Sequence, residues 1–139
     1  MDYKDLQAGN SSDYFWFKGK RDLIHTFMKK EVSGKTDLKI LNIGAGTGDD
    51  LKILHQFGKN YVIDVDANAL SVIDNSLCED KQQADACALP YQNDFFDVVI
   101  SCDVFEHIDD HIKAISEVHR VLKPNGILLF TVPAFQSIY

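Results

Sequence analysis

The chain has 139 residues, 45% of them apolar, which suits a single domain with one sizeable core. Its formal net charge of -7 disfavours a sequence-independent grip on nucleic acid, which relies on Lys and Arg to neutralise phosphates. No run approaches the roughly 18 to 20 consecutive apolar residues of a membrane span, and MDYKDLQAGN lacks the apolar stretch of a signal peptide, so the expected setting is the cytoplasm with no membrane partner.

From the N-terminus, the sequon Asn10-Ser11-Ser12 is read as chance in the absence of a secretion signal. Phe15-Trp16-Phe17 then adjoins a basic island of Lys18, Lys20, Arg21, Lys29 and Lys30. Rings beside cations can stack bases, but Leu23, Ile24, Phe27 and Met28 recur at helical spacing. The spacing predicts an amphipathic helix over about 18–31, ended by Ser33-Gly34 and packed on the main domain. Residues 1–34 are thus expected as an N-terminal helical segment on a core of 35–139, one domain overall.

Leu38 to Ile43 reads as a buried strand, followed by a glycine loop. Leu51, Leu54 and Phe57 predict a short helix stopped by Gly58. Tyr61-Val62-Ile63 is a second strand, and Leu70, Val72, Ile73 and Leu77 line a second helix. A third strand is expected in the region of Asp85-Ala86, and a fourth over 95–102. Ile108, Ile112, Ile115 and Leu122 predict one helix face, ending before Pro124-Asn125-Gly126. A last strand over 127–132 is too continuously apolar for a half-exposed sheet. Strands separated by single helices imply a parallel sheet covered on both faces: a doubly wound, three-layer α/β/α fold. Cys78, Cys87 and Cys102 are odd in number and lack C-x-x-C spacing, so they are read as reduced thiols and not as disulfides or a zinc knuckle.

In such a sheet, ligands bind outside the carboxyl ends of the strands. The residues there are Gly44 to Gly48, Asp64, Asp85-Ala86 and Cys102-Asp103. A dinucleotide fingerprint, G-x-G-x-x-G, would need a glycine three positions after Gly46, where this chain has the anion Asp49. A Walker loop would need Gly-Lys-Ser or Gly-Lys-Thr, and neither occurs. The expected ligand carries a ribose, to suit the acid ending the second strand, but need not carry phosphate.

Four segments in order, LNIGAGTGDD, YVIDVDANAL, ADACALPYQNDFFDVVIS and RVLKPNGILLFTVP, resemble the motifs of class I S-adenosylmethionine-dependent methyltransferases, and the resemblance covers nearly the whole chain. It implies a Rossmann-like fold and S-adenosylmethionine as cofactor. By the same resemblance, Gly44, Ala45, Gly46 and Gly48 let the backbone approach the methionyl part and ribose. Asp64 accepts bonds from the ribose hydroxyls, and Val65 packs on the adenine. Asp85 with the amide of Ala86 reads the adenine edge, and Cys102 closes the methionyl side. Where the family often has Asp or Glu this chain has Asn42, a neutral acceptor for the cofactor amine. Family members continue past the fifth strand with segments that build much of the acceptor pocket, so a chain ending at VPAFQSIY is expected to be truncated.

DYFWFKGKRDLI resembles an N-terminal helix of a bacterial and archaeal branch of the family, which implies Trp16, Phe17 and Arg21 over the cofactor cleft, with Lys18 and Lys20 solvated. In CDVFEHIDDHI, the trio Asp103, Glu106 and His107, with His111 nearby, has spacing that would suit a divalent cation, as in some hydroxyl-methylating relatives. The preferred reading is no metal, with Asp103 and Glu106 at a helix start. Glu106 or His107 is the candidate general base. The expected function is methyl transfer to a small-molecule or glycan-type acceptor. A non-catalytic S-adenosylmethionine-binding domain and an NAD-dependent oxidoreductase are the alternatives. The sequence sets neither the oligomeric state nor the acceptor.

Overall fold

The computed structural model describes residues 15–133, with side chains from Phe17 onward. The sequon at Asn10 and the ring of Trp16 lie outside the described residues. In chain order the elements are α1 (Phe15–Glu31), β1 (Leu38–Ile43), α2 (Asp49–Leu54), β2 (Gly58–Asp64), α3 (Ala67–Ser71), β3 (Asp80–Gln83), β4 (Phe96–Cys102), α4 (His111–Val121) and β5 (Leu122–Thr131). Short 3₁₀ turns at Asn75–Leu77 and Phe105–His107 complete the path.

The five strands form one parallel sheet in the order β3-β2-β1-β4-β5. Alternate residues of β1 supply its two faces. Leu38 and Ile40 pack with Val98, Ile100, the α1 residues Ile24 and Met28, and Val32 just after α1, while Leu54 of α2 joins the same cluster. Leu41 and Ile43 pack with Val99 and with Ala114, Val118 and Val121 of α4. Leu51 of α2 and Leu70 of α3 meet over Val62 of β2. Helices therefore cover both faces, which is why β1 and β4 are buried at most positions on both sides.

The structure corrects several element expectations. Gly58 opens β2 instead of stopping α2, because a Cβ there would run into the backbone of Leu38 in the adjoining strand. The second helix breaks at Ser71. Asp74 accepts from the amide of Ser76 and restarts the chain as a 3₁₀ turn, which leaves Val72 exposed. The third strand comes earlier than Asp85-Ala86, as the polar run DKQQ. Its edge position tolerates polar side chains, and Lys81 donates to the carbonyls of Leu70 and Ile73. The connection from β3 to β4 contains no helix.

The α4 face is also different. Its buried stripe is Ala114, Val118 and Val121, while Ile112 and Ile115 are 76% and 39% exposed and Leu122 starts β5. Two helical stripes of similar regularity exist here, and the one with smaller side chains meets the sheet. Finally, β5 is an edge strand, with Phe130, and Val132 just past its end, about half exposed, and not a strand covered on both faces. Among the described residues, no helix is long and apolar enough to cross a membrane.

Candidate ligand cavity at the carboxyl ends of the strands

The strand order reverses at β1, whose neighbours β2 and β4 leave it in opposite directions across the sheet. A crevice opens at such a switch point, and here a cavity of 820 Å³ lies over it. That is within the roughly 300–1,000 Å³ of ordinary small-molecule sites.

The floor is the loop after β1. Gly44, Gly46 and Gly48 all have positive φ, at 70°, 58° and 81°, a region that side chains with a Cβ rarely enter. At Gly44 space is also closed, since a Cβ would stand 2.5 Å from a methyl carbon of Val104. The Gly44 amide is tied to the carbonyl of Ile63 at 2.9 Å, so the loop is held to the end of β2. Gly44, Ala45 and Gly46 line the cavity. Gly48 does not; it caps α2 from within, where a Cβ would meet Ile73 and Leu51 at 3.3 Å.

Asp64 ends β2 on the cavity wall, and its Oδ1 accepts from the amide of Asp66 at 2.9 Å. Burial raises its carboxyl above the ordinary range, opposed by backbone hydrogen bonds and reinforced by the neighbouring Asp66 charge. Val65 follows at the rim, 67% exposed. In the loop after β3, Asp85 accepts from the amide of Cys87 at 2.8 Å, and Ala86 is buried beside it. On the other side of β1, Cys102 ends β4 against the cavity. Burial pushes its thiol pKa up to about 11, so it is a neutral wall at pH 7 and not a nucleophile.

Beyond Cys102, Asp103 has φ 56° and accepts from the hydroxyl of Thr131 at 3.0 Å. His107 lines the rim, with its side chain 69% exposed. Its Nε2 is 3.6 Å from Oε1 of Glu106, whose other oxygen is buried with no hydrogen-bond partner among the described residues. Glu106 thus stands behind His107 and not in the cavity. Among the described residues no three His, Cys, Asp or Glu side chains gather as a metal site, so the Asp103, Glu106 and His107 set is not assembled.

Asn42 is likewise off the cavity. It is buried within the sheet, and its amide donates to Asn60 at 3.4 Å. Lys20, expected in solvent, lines the cavity with Phe17 and Arg21 and pairs with Asp50 at 3.0 Å. Its sequence signal was present: Lys20 precedes Ile24, and Ile24 precedes Met28, by four residues each, so all three share the inward stripe of α1. Asp49, expected to repel a pyrophosphate, does lie on the cavity wall in the first turn of α2. Thr47, Asp66, Cys87, Ile108 and the pair Asp109-Asp110 also line the cavity without having been singled out.

Comparison with known proteins bears on this arrangement. Residues 41–130 match a family described as a methyltransferase domain. The chain is 31% identical over 150 aligned positions to a glycine/sarcosine/dimethylglycine N-methyltransferase of Actinopolyspora halophila, covering 94% of this chain and 26% of that protein. It is 32% identical over 118 positions to a ubiquinone/menaquinone biosynthesis C-methyltransferase of Coxiella burnetii, covering 75% and 47%. Its fold superposes on a solved S-adenosylmethionine-dependent methyltransferase of Aquifex aeolicus with a TM-score of 0.62 at 19% identity, over 81% of this chain and 70% of that one. The chain spans between a quarter and a half of the length of these two curated relatives.

Proposed function

Because the chain belongs to the class I S-adenosylmethionine-dependent methyltransferases, a family whose methyl donor is S-adenosylmethionine, we propose that the cavity over β1 holds that donor and that the protein methylates a small-molecule acceptor. The observation that carries this reading is the convergence of the glycine loop, Asp64 and Asp85-Ala86 on one cavity at the switch point of the sheet. The residues fit the group. The loop is pared to backbone where a Cβ at Gly44 would strike Val104. Asp64 is an acceptor placed for a ribose diol, Val65 an apolar flank for adenine, and Asp85 with Ala86 an edge for its nitrogens. Carboxylates outnumber the lining cations Lys20 and Arg21, a balance that suits a sulfonium cation better than a pyrophosphate.

When bound, the donor supplies a methyl group already activated on sulfur, so the protein's task is mainly orientation. The chain's own residues then do three things. The loop and Asp64 fix the donor's position. Cys102, neutral and half-buried, closes the cavity beside β4 without reacting. His107, at the rim and backed by Glu106, receives the proton that an acceptor hydroxyl or amine gives up as it is methylated. Asp103, fixed by Thr131, and Asp109 give that end of the cavity its negative charge.

The test is incubation with methyl-labelled S-adenosylmethionine and separate pools of amines, phenols and glycans. A labelled small molecule whose formation falls at least about tenfold in His107→Ala is expected. Label confined to a glycan, or transfer indifferent to His107, would contradict the acceptor class or the base, respectively. Donor binding with no label transferred to any pool would favour a binding domain over an enzyme.

A further inference from the structure

Along the sheet order β3-β2-β1-β4, the cavity meets Asp85 and Ala86 after β3, Asp64 at the end of β2, and the glycine loop after β1. A donor laid across these directs its sulfur toward the next strand end, that of β4. Past the neutral thiol of Cys102, the residue standing there is Asp103.

The backbone of Asp103 is strained. Among the described residues Asp37, Asp94, Asp103 and Asn125 are the non-glycine positions with positive φ, and of these only Asp103 lines the cavity. A φ of 56° is unfavourable for a residue with a Cβ and persists only where the surroundings impose it. Here Thr131 imposes it twice: its carbonyl accepts the Asp103 amide at 2.9 Å, and its hydroxyl donates to Oδ1 at 3.0 Å. Neither bond needs a charge. Asparagine adopts this φ as readily and would accept the same hydroxyl through its amide oxygen. The second carboxylate oxygen, Oδ2, has no hydrogen-bond partner among the described residues. Holding the loop therefore accounts for the position of Asp103 but not for its carboxylate.

The surroundings say what that carboxylate suits. From Cys102 to Asp110 the chain reads CDVFEHIDD, with no Lys or Arg, and Asp109 and Asp110 also line the cavity. The lining cations Lys20 and Arg21 come from α1, and Lys20 is engaged by Asp50 at 3.0 Å. Acceptors respond to a carboxylate at this point in opposite ways. A neutral amine attacks with its nitrogen lone pair. The C–N bond forms as the C–S bond breaks, the C–S electron pair stays on sulfur, and the positive charge passes to nitrogen, whose surplus proton then goes to His107. A carboxylate beside the nitrogen stabilises that charge as it develops. A phenol attacks as its anion, which the same carboxylate repels.

We propose that Asp103 selects nitrogen over oxygen acceptors: its Oδ2 accepts an N–H of an acceptor amine and faces the cation that forms there as the methyl group arrives. The proposal rests on the reading that the cavity holds S-adenosylmethionine, and it narrows the acceptor to an amine.

The test uses tyramine, which offers an amine and a phenol in one molecule, with benzylamine and 4-methylphenol as its separate halves. Each is incubated with methyl-labelled S-adenosylmethionine, and N- and O-methyl products are resolved by mass spectrometry. Wild type labels nitrogen. Asp103→Asn, which keeps the backbone and the Thr131 bond, lowers kcat/KM for N-methylation by about 10- to 100-fold, spares any O-methylation, and binds S-adenosylhomocysteine as wild type does in calorimetry. Asp103→Gly, unstrained at this φ, gives a second charge-free variant with the same expected loss, and thermal unfolding checks that both are folded. Label on the phenol of tyramine, equal losses at nitrogen and oxygen, undiminished N-methylation in the folded variants, or weakened S-adenosylhomocysteine binding by them overturns the proposal. Wild type that binds S-adenosylhomocysteine but labels none of the three acceptors overturns it too, and wild type that does not bind S-adenosylhomocysteine refutes the cofactor reading beneath it.

Discussion

At the scale of single residues, Asp64 carries the most specific expectation. Its carboxyl is held above the ordinary range chiefly by burial, so folding takes up a proton at pH values between the ordinary pKa and the raised one. Its contribution to stability is therefore greatest while it is protonated at low pH, and declines as pH rises through the folded value. A ribose diol donates best to the ionised carboxylate, so ligand binding should change in the opposite sense. Affinity for S-adenosylhomocysteine should increase as pH rises through this window and level off above it, and Asp64→Asn should remove that dependence and weaken binding by about 10- to 100-fold. A pH profile identical in wild type and Asp64→Asn would take Asp64 out of the site. Gly44 gives a steric counterpart. Gly44→Val combines a positive φ with a clash against Val104, and its affinity, read by the same titration, should fall below detection. Near-normal binding would mean that the ligand does not lie on this loop. These residues were legible in the sequence because strand ends in a parallel sheet are the places to look. Asn42 and Glu106 were not, because spacing alone does not tell a side chain directed into the cavity from one directed into the sheet or behind a neighbour.

At the scale of elements, the connection from β3 to β4 has no helix to hold it and depends on Arg120. One guanidinium nitrogen donates to the carbonyl of Tyr91 and to Asn93, another to the carbonyl of Leu89, and Glu117 braces the guanidinium while accepting the amide of Leu89. That mutual contact holds the Glu117 carboxyl below its usual range. Arg120→Ala should cost about 1–3 kcal/mol in denaturant unfolding and loosen the segment that carries Asp85 and Ala86. Hydrogen exchange should show faster amide exchange over 84–95, while β1 and β4 stay protected. Uniform loosening of the whole sheet would contradict this local role. The sequence displayed β1 and β4 clearly because both their faces are covered, so apolar residues such as Ile40-Leu41 and Val98-Val99-Ile100 stand side by side in them. It concealed β3, whose edge position lets Asp-Lys-Gln-Gln form a strand with no apolar pattern. It also misled at α4, where Ile112 and Ile115 form a regular stripe on the wrong side of the helix.

At the scale of the whole molecule, the net charge of -7 and the carboxylates around the cavity favour a cationic ligand over an anionic one. S-adenosylmethionine carries a sulfonium charge that S-adenosylhomocysteine lacks, so its binding should weaken more steeply as ionic strength is raised from about 0.01 to about 1 M, over which the Debye length shrinks from ~30 to ~3 Å. Parallel salt dependences would mean that the acidic wall does not sense the sulfonium. The overall architecture was legible because alternating strands and helices leave few topologies to consider. Lys20 was the main surprise at this scale: its four-residue spacing from Ile24 put it on the inward stripe of α1, but the surrounding run of cations hid that signal, and only the docking of α1 across β1, β4 and α2 brings it to the cavity wall. The most direct test of the central claim is calorimetric titration of the 139-residue chain with S-adenosylmethionine, S-adenosylhomocysteine and NADH. Saturable one-to-one binding of both adenosyl compounds and none of NADH is the predicted result; binding of NADH, or of none of the three, would contradict it.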